Sequence, residues 1–177
     1  LTQVAAAHLL FVEALGFPDP FQTARFRSAT VLDIGIRSRA SLERNGLAYD
    51  ELQRSQSGDW IGMKVASSVK ATSNLTPAHE YFHLLHYGTS YFKNRWFAEG
   101  TARWSERALG LGSLGPARKL EAWPLPPDEA EVLSQMAYEA SEHFWNPLAA
   151  RLDPGGTIPD SPALERLRAM RYADGSP

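Results

Sequence analysis

Cysteine is absent from this sequence of 177 residues, so it can form no disulfide framework. It also contains no stretch approaching the run of about 18 apolar residues that a membrane-spanning helix needs. The formal net charge is only −2, which gives no electrostatic reason to expect nucleic acid or an anionic membrane as a partner. No repeats or low-complexity tracts occur, so the absences favour a globular chain without membrane insertion.

The composition is ordinary for a globular protein, with 44% hydrophobic and 21% charged residues. A chain of this length is expected to form one domain, 1–177, with a core of its own. The alanine-rich stretch at residues 5–11 is too short and lacks the basic flank of a signal peptide. Because the first residue is Leu1 rather than methionine, we leave open that the chain is a fragment of a longer one.

A His-Glu-x-x-His motif spans residues 79–83, and Glu99 follows sixteen residues after His83. On a helix, His79 and His83 share one face about 6 Å apart along the axis, so they can bind one metal ion. Glu80, beside the first histidine, is placed to act on a water at that metal. An open catalytic zinc site takes three protein ligands plus water, and Glu99 is the candidate third ligand for a single Zn²⁺.

His86 lies near the same helix face but is not expected to be the third ligand. It would lie about 10.5 Å from His79 along the axis, whereas zinc–nitrogen bonds are about 2.1 Å. We expect it at the helix surface or in contact with a ligand. The absence of cysteine also excludes peptide deformylase, which combines this motif with a thiolate ligand.

Capping signals place the motif on a short helix. Thr76 is a suitable N-cap, Pro77 suits the first helical position, and Gly88 is expected to end the helix. A second helix is predicted over residues 97–109. On it Glu99 and Glu106 are seven residues apart and share a face, so Glu106 is placed to accept the second imidazole N–H of a ligand histidine.

The His-Glu-x-x-His motif and the later Trp-Phe-Ala-Glu-Gly-Thr-Ala run resemble the gluzincin zinc metallopeptidases, the group of thermolysin and the M1 aminopeptidases. The resemblance covers about residues 60–107. It implies the following roles: His79, His83 and Glu99 as zinc ligands, Glu80 as catalytic base, and Glu106 as an acid supporting a ligand. The M1 amine-binding motif is absent upstream, which favours an endopeptidase acting on a peptide or protein substrate.

Gluzincins also use a tyrosine or histidine further along the chain to stabilise the oxyanion. The resemblance therefore suggests Tyr138 or His143, and we choose Tyr138 because a phenol stays protonated at neutral pH. The same resemblance implies an extracellular or periplasmic location for a secreted protein.

Two alternatives remain open at this point. Zinc can serve mainly to stabilise a non-catalytic binding domain, although Glu80 stands where a base belongs. The same ligand set also suits a zinc hydrolase that cleaves a non-peptide amide or ester. Histidines that merely hydrogen-bond in a core are disfavoured, because the converging carboxylates would have no cation to offset their desolvation.

The expected fold is α+β and zincin-like, with a small mixed or antiparallel sheet packed on the motif helix. The N-terminal helix and sheet are expected over about 1–88 and a mainly helical part over about 89–177. Helices are predicted over 2–15, from Asp128 to about Pro147, and from Ser161. Strands are predicted over 30–36 and 60–69, with irregular structure over 38–59, where the Asn45-Gly46 pair marks a turn.

Part of residues 61–69, or the strand at 31–36, is expected to border the cleft as a sheet edge that pairs with substrate. The segment 123–127 is rich in proline and should be extended, with Trp123 as a candidate wall of a substrate pocket.

Overall fold

The structure of this chain, a computed structural model, describes residues 1–110, 126–156 and 158–177. Within them the fold is α+β, as predicted, with seven α-helices and a three-stranded mixed sheet. The helices are α1 (Thr2–Ala7), α2 (Arg39–Leu42), α3 (Thr76–Thr89), α4 (Arg95–Glu106), α5 (Pro127–Gln135), α6 (Asn146–Leu152) and α7 (Pro162–Ala169). The strands are β1 (Ala29–Arg37), β2 (Gly46–Ala48) and β3 (Asp59–Ala66). The proposed pocket residue Trp123 lies outside the described residues.

The chain divides into two compact units. The first comprises Leu1–Tyr91 with Ile158–Pro177, and the second comprises Phe92–Thr157. The first unit contains the sheet with α1, α2, α3 and α7, and the second contains α4, α5 and α6. None of the helices that the structure describes is long and apolar enough to cross a membrane.

The sheet has the order β1-β3-β2, with β1 parallel and β2 antiparallel to β3. Because β3 is paired on both sides, residues 61–66 offer no free edge, so of the two segments predicted as a sheet edge only 31–36, in β1, lies at one. Among the described strands, β1 and β2 form the two edges of the sheet.

Strand β2 was not predicted, because residues 38–59 were expected to be irregular. The Asn45-Gly46 pair was expected to mark a turn, but Gly46 instead begins β2. Three residues are too few to show the alternation of apolar and polar residues that marks a strand. Strand β2 forms because these residues pair with β3. The Ala66 N–H donates to the Asn45 carbonyl at 2.8 Å, and the Tyr49 N–H donates to the Gly62 carbonyl at 2.9 Å.

The N-cap of helix α3 lies one residue before Thr76, the predicted N-cap. Leu75 is the N-cap, and the Asn74 Oδ1 accepts hydrogen bonds from the Thr76 N–H at 2.9 Å and the Thr76 hydroxyl at 2.6 Å. Gly88 does not end the helix, which continues to Thr89. A Cβ at Gly88 would lie 3.0 Å from the Thr23 side chain, so close packing explains this glycine better than helix termination.

The predicted N-terminal helix over residues 2–15 forms, but its second half, His8–Ala14, is π-helical. The wider turn buries both Leu10 and Phe11 and leaves Leu15 40% exposed. Phe11 packs edge to face on Phe82 of α3, with ring centroids 5.1 Å apart. The N-terminal helix thus stabilises the helix that carries the motif.

The predicted helix from Asp128 to Pro147 is broken into α5, a π-helix at Ser141–Trp145, and α6. Pro147 lies in the first turn of α6 rather than at a helix end. In the break, the Glu139 carboxylate accepts a hydrogen bond from the Ala137 N–H at 3.1 Å. This local side-chain contact takes the place of a helical hydrogen bond at Ala137, so the predicted helix is not continuous.

Candidate metal centre

Helix α3 brings two imidazoles together in the first unit. His79 and His83 lie one turn apart and are buried, with 6% and 3% of their surface exposed. Their Nε2 atoms lie 3.1 Å apart, and their rings meet edge to face with centroids 4.7 Å apart. Ligand atoms of a tetrahedral zinc site with bonds of about 2.1 Å are separated by about 3.4 Å. The helix therefore holds both nitrogens at a separation that suits one metal ion.

Glu99 is half-buried on α4. One ligand atom from each of His79, His83 and Glu99 lies within 4.8 Å of the other two, so these residues form a group that can hold a metal ion. Two imidazole nitrogens and a carboxylate oxygen are the donors of an open zinc site, with one position left for water. The donor set therefore fits Zn²⁺.

Glu80 is buried on α3, with 6% of its surface exposed, and lies against the edge strand β2. A Cβ built on Gly46 would lie 2.6 Å from the Glu80 Cγ and closest of all to its Oε1. The carboxylate thus occupies the space that a side chain at Gly46 would need.

His86 is buried rather than at the helix surface, with 8% of its surface exposed, so the surface alternative is wrong. Its ring stacks on Tyr87 with centroids 5.6 Å apart. Among the described residues, it is not part of the group that can hold a metal ion, in agreement with the distance argument along the helix.

Glu106 is the last residue of α4 and is buried, with 6% of its surface exposed. The Arg103 Nη1 donates to its carboxylate at 2.6 Å, an ion pair one turn along the helix. Carboxylates that accept the second N–H of a ligand imidazole fix the tautomer of that ligand, which is the role predicted for Glu106. Its contact with a ligand histidine stays a prediction.

The sequence places both candidate oxyanion donors on one predicted helix. In the structure they do not lie on the same helix. Tyr138 lies in the turn after α5 and is 48% exposed, whereas His143 lies in the π-helix. The break at residues 136–140 separates them. The role of Tyr138 stays a prediction, as does the alternative role of His143.

Two features near the motif were missed in the sequence. One is Gly46, whose Asn-Gly pair was interpreted only as a turn signal. The other is Tyr81, which is buried on α3 and hydrogen-bonds through its hydroxyl to the His8 Nδ1 at 2.8 Å. Burial, and then the negative charge of Asp19, raise the pKa of Tyr81 well above its usual range. The phenol therefore keeps its proton, and which partner donates in this bond follows from the tautomer of His8.

No protein-family model, characterised protein or solved structure matches this chain. The resemblance to gluzincins therefore depends on the motif residues, and the chemistry must be argued from the site itself.

Proposed function

We propose that this chain is a zinc-dependent endopeptidase of the gluzincin type, with a zincin-like fold. One observation carries the proposal: His79, His83 and Glu99 offer three ligand atoms within 4.8 Å of one another. Glu80 adjoins the first of these ligands on the same helix, where a catalytic base is needed. A purely structural zinc site would instead have four protein ligands and no free base.

The residues of the chain have separate tasks in this reaction. When bound, zinc polarises the scissile carbonyl and lowers the pKa of the attacking water to about 7. Glu80 accepts the proton from that water and delivers it to the leaving amine. Proton transfer of this kind contributes about 10²- to 10⁴-fold to the rate. Tyr138 is the proposed donor to the developing oxyanion, and Glu106 the proposed acceptor that orients a ligand imidazole.

The edge strand β2 supports a peptide as the substrate. Asn45 and Tyr49 form hydrogen bonds with β3, so the alternate residues Gly46 and Ala48 direct their backbone N–H and C=O groups away from β3. Among the described strands none pairs with this side of β2. An extended peptide can add there as a further strand, and its backbone would then lie beside Glu80.

Substitution of the proposed base tests the function. The Glu80→Gln variant should retain zinc, because the ligands are untouched, and should cleave a denatured protein at least about 100-fold more slowly. Glu51→Gln is the matched control, because it makes the same change at an exposed glutamate. Equal turnover by Glu80→Gln and the wild type would refute the role of Glu80.

The wild-type protein also separates the proposal from its alternatives. Stoichiometric zinc without cleavage of any peptide would favour a zinc-stabilised binding domain. Hydrolysis of esters but not peptides would favour the non-peptide hydrolase. An extracellular or periplasmic location is proposed from the resemblance alone, and recovery of the native protein only in the cytoplasmic fraction would contradict it.

A further inference from the structure

Gly46 occupies a position where a side chain has no room. A Cβ placed there would lie 2.5 Å from the Thr76 Cγ2 and 2.6 Å from the Glu80 Cγ, with the Glu80 Oε1 closer still. Real Cβ atoms essentially never approach other heavy atoms within 3.0 Å. The first residue of β2 must therefore lack a side chain while Glu80 keeps its position.

Backbone conformation does not explain this glycine. Among the residues that the structure describes, the glycines with positive φ are Gly16, Gly58, Gly110 and Gly175, and Gly46 is not one of them. A residue with a side chain could adopt the same backbone angles. The space taken by Thr76 and Glu80 is thus the physical reason for glycine at position 46.

The groups around Gly46 differ in their freedom to move. Strand β2 is fixed by its hydrogen bonds to β3, such as the one from the Ala66 N–H to the Asn45 carbonyl. Thr76 is held at the start of α3 by two hydrogen bonds to the Asn74 Oδ1. The Glu80 Oε1 is the atom nearest to a Cβ at position 46 and ends a side chain with three rotatable bonds, so a methyl group there would displace its carboxylate.

We infer that Gly46 is a positioning residue for the Glu80 carboxylate. This inference depends on the proposed function for its catalytic consequence, although the contact itself does not. Misplacement of a reacting group by about 1 Å can lower a rate about 100-fold. Glycine at this position therefore keeps the Glu80 carboxylate in place and lets the edge of β2 lie directly against it.

Gly46→Ala tests the catalytic consequence. Zinc content should equal that of the wild type, kcat on a denatured protein should fall at least about 10-fold, and KM should change less than about threefold. Gly35→Ala is the matched control, because Gly35 lies in β1 of the same sheet and its Cβ would make only ordinary contacts at 3.5 Å. A Gly46→Ala variant with an unchanged kcat would overturn the inference.

A mutant cycle in the zinc-free protein tests the contact between position 46 and its neighbours Thr76 and Glu80. This test needs no measurement of enzyme activity. Gly46→Ala alone should lower Tm by at least about 4 °C, as expected for an overpacked site in a chain of this size. In a background with Thr76→Ser and Glu80→Ala, the colliding atoms are gone, and the same substitution should lower Tm by less than about 1 °C. Equal losses in both backgrounds would refute the contact.

The two tests separate the inference from the function that it builds on. Absence of peptide cleavage by the wild type would overturn the proposed endopeptidase, while the stability cycle would still decide whether Gly46 accommodates Glu80. Cleavage by the wild type with equal Tm losses would overturn the inference alone.

Discussion

The Nε2 atoms of His79 and His83 face each other across 3.1 Å on successive turns of α3. Two neutral imidazoles hydrogen-bond in this arrangement only if one Nε2 carries the proton, whereas a metal ion needs the lone pairs of both. Zinc binding is therefore expected to leave both rings as Nδ1–H tautomers. Nitrogen-15 NMR of the histidine side chains should show an Nε2–H in the zinc-free protein and none on these two residues with zinc.

That tautomer change would be missing if the two rings merely paired with each other in a core. Identical histidine spectra with and without zinc would contradict the metal site. His143 provides an internal control in the same spectra, because it is not among the three residues that can share a metal.

Zinc should stabilise the folded protein through the same residues. At a free zinc concentration about 1,000 times Kd, the gain in the free energy of unfolding is about 4 kcal/mol. Thermal unfolding with and without a chelator measures this gain as a change in Tm. His83→Ala should abolish most of it, since a ligand is lost, and His143→Ala should leave it intact. Equal zinc-dependent shifts in the two variants would argue against His83 as a ligand.

Ala48→Pro tests the edge of β2 as the site of peptide binding. Proline removes an N–H that points away from β3, so the pairing of β2 with β3 should survive. The KM for a peptide should rise about 10-fold, because one main-chain hydrogen bond and the close approach of the peptide are lost. Ile36→Pro makes the same change on the free edge of β1 and should leave KM unaltered. A similar KM for both variants would refute binding at β2.

Tyr81→Phe tests the tether between the N-terminal helix and α3. It removes the hydroxyl that hydrogen-bonds to the His8 Nδ1 and should cost about 1 kcal/mol of stability, measured by urea unfolding. A cost equal to that of Tyr172→Phe, whose exposed hydroxyl donates to the Ala71 carbonyl, would show that burial gives the Tyr81 bond no special weight.

Tyr81 should also make the stability of the folded protein change with pH in the alkaline range. Burial raises the pKa of Tyr81 in the folded state, so its contribution is present below the unfolded-state pKa of about 10 and is lost as pH rises beyond it. Tyr81→Phe should therefore flatten the loss of stability between about pH 10 and 11.5. An unchanged pH profile would contradict the assignment of the raised pKa to Tyr81.

Local sequence was sufficient to predict the helices that carry the motif. Pro77 in the first turn of α3 and Gly110 after the helical segment that follows Glu99 are signals that depend on a few neighbouring residues. The spacing of His79 and His83 likewise follows from helix geometry alone. These features could be predicted because no distant contact decides them.

The missed features depend on contacts between distant parts of the chain. Strand β2 becomes a strand only by pairing with β3, and Gly46 is required because Thr76 and Glu80 lie against it. Gly88 is a helix stop by its residue type, yet α3 continues to Thr89, and a Cβ at position 88 would lie 3.0 Å from the Thr23 side chain. A local sequence pattern carries no information about such tertiary contacts. These contacts override local propensity.

The central claim is that His79, His83 and Glu99 bind one zinc ion and leave one coordination position to water. An anomalous difference map at the zinc absorption edge, from crystals of the zinc-loaded protein, tests it most directly. One peak is expected, bonded to the Nε2 atoms of both histidines and to the Glu99 carboxylate, with bonds of about 2.0–2.2 Å. A peak without Glu99, or one closed by a fourth protein ligand, would contradict it.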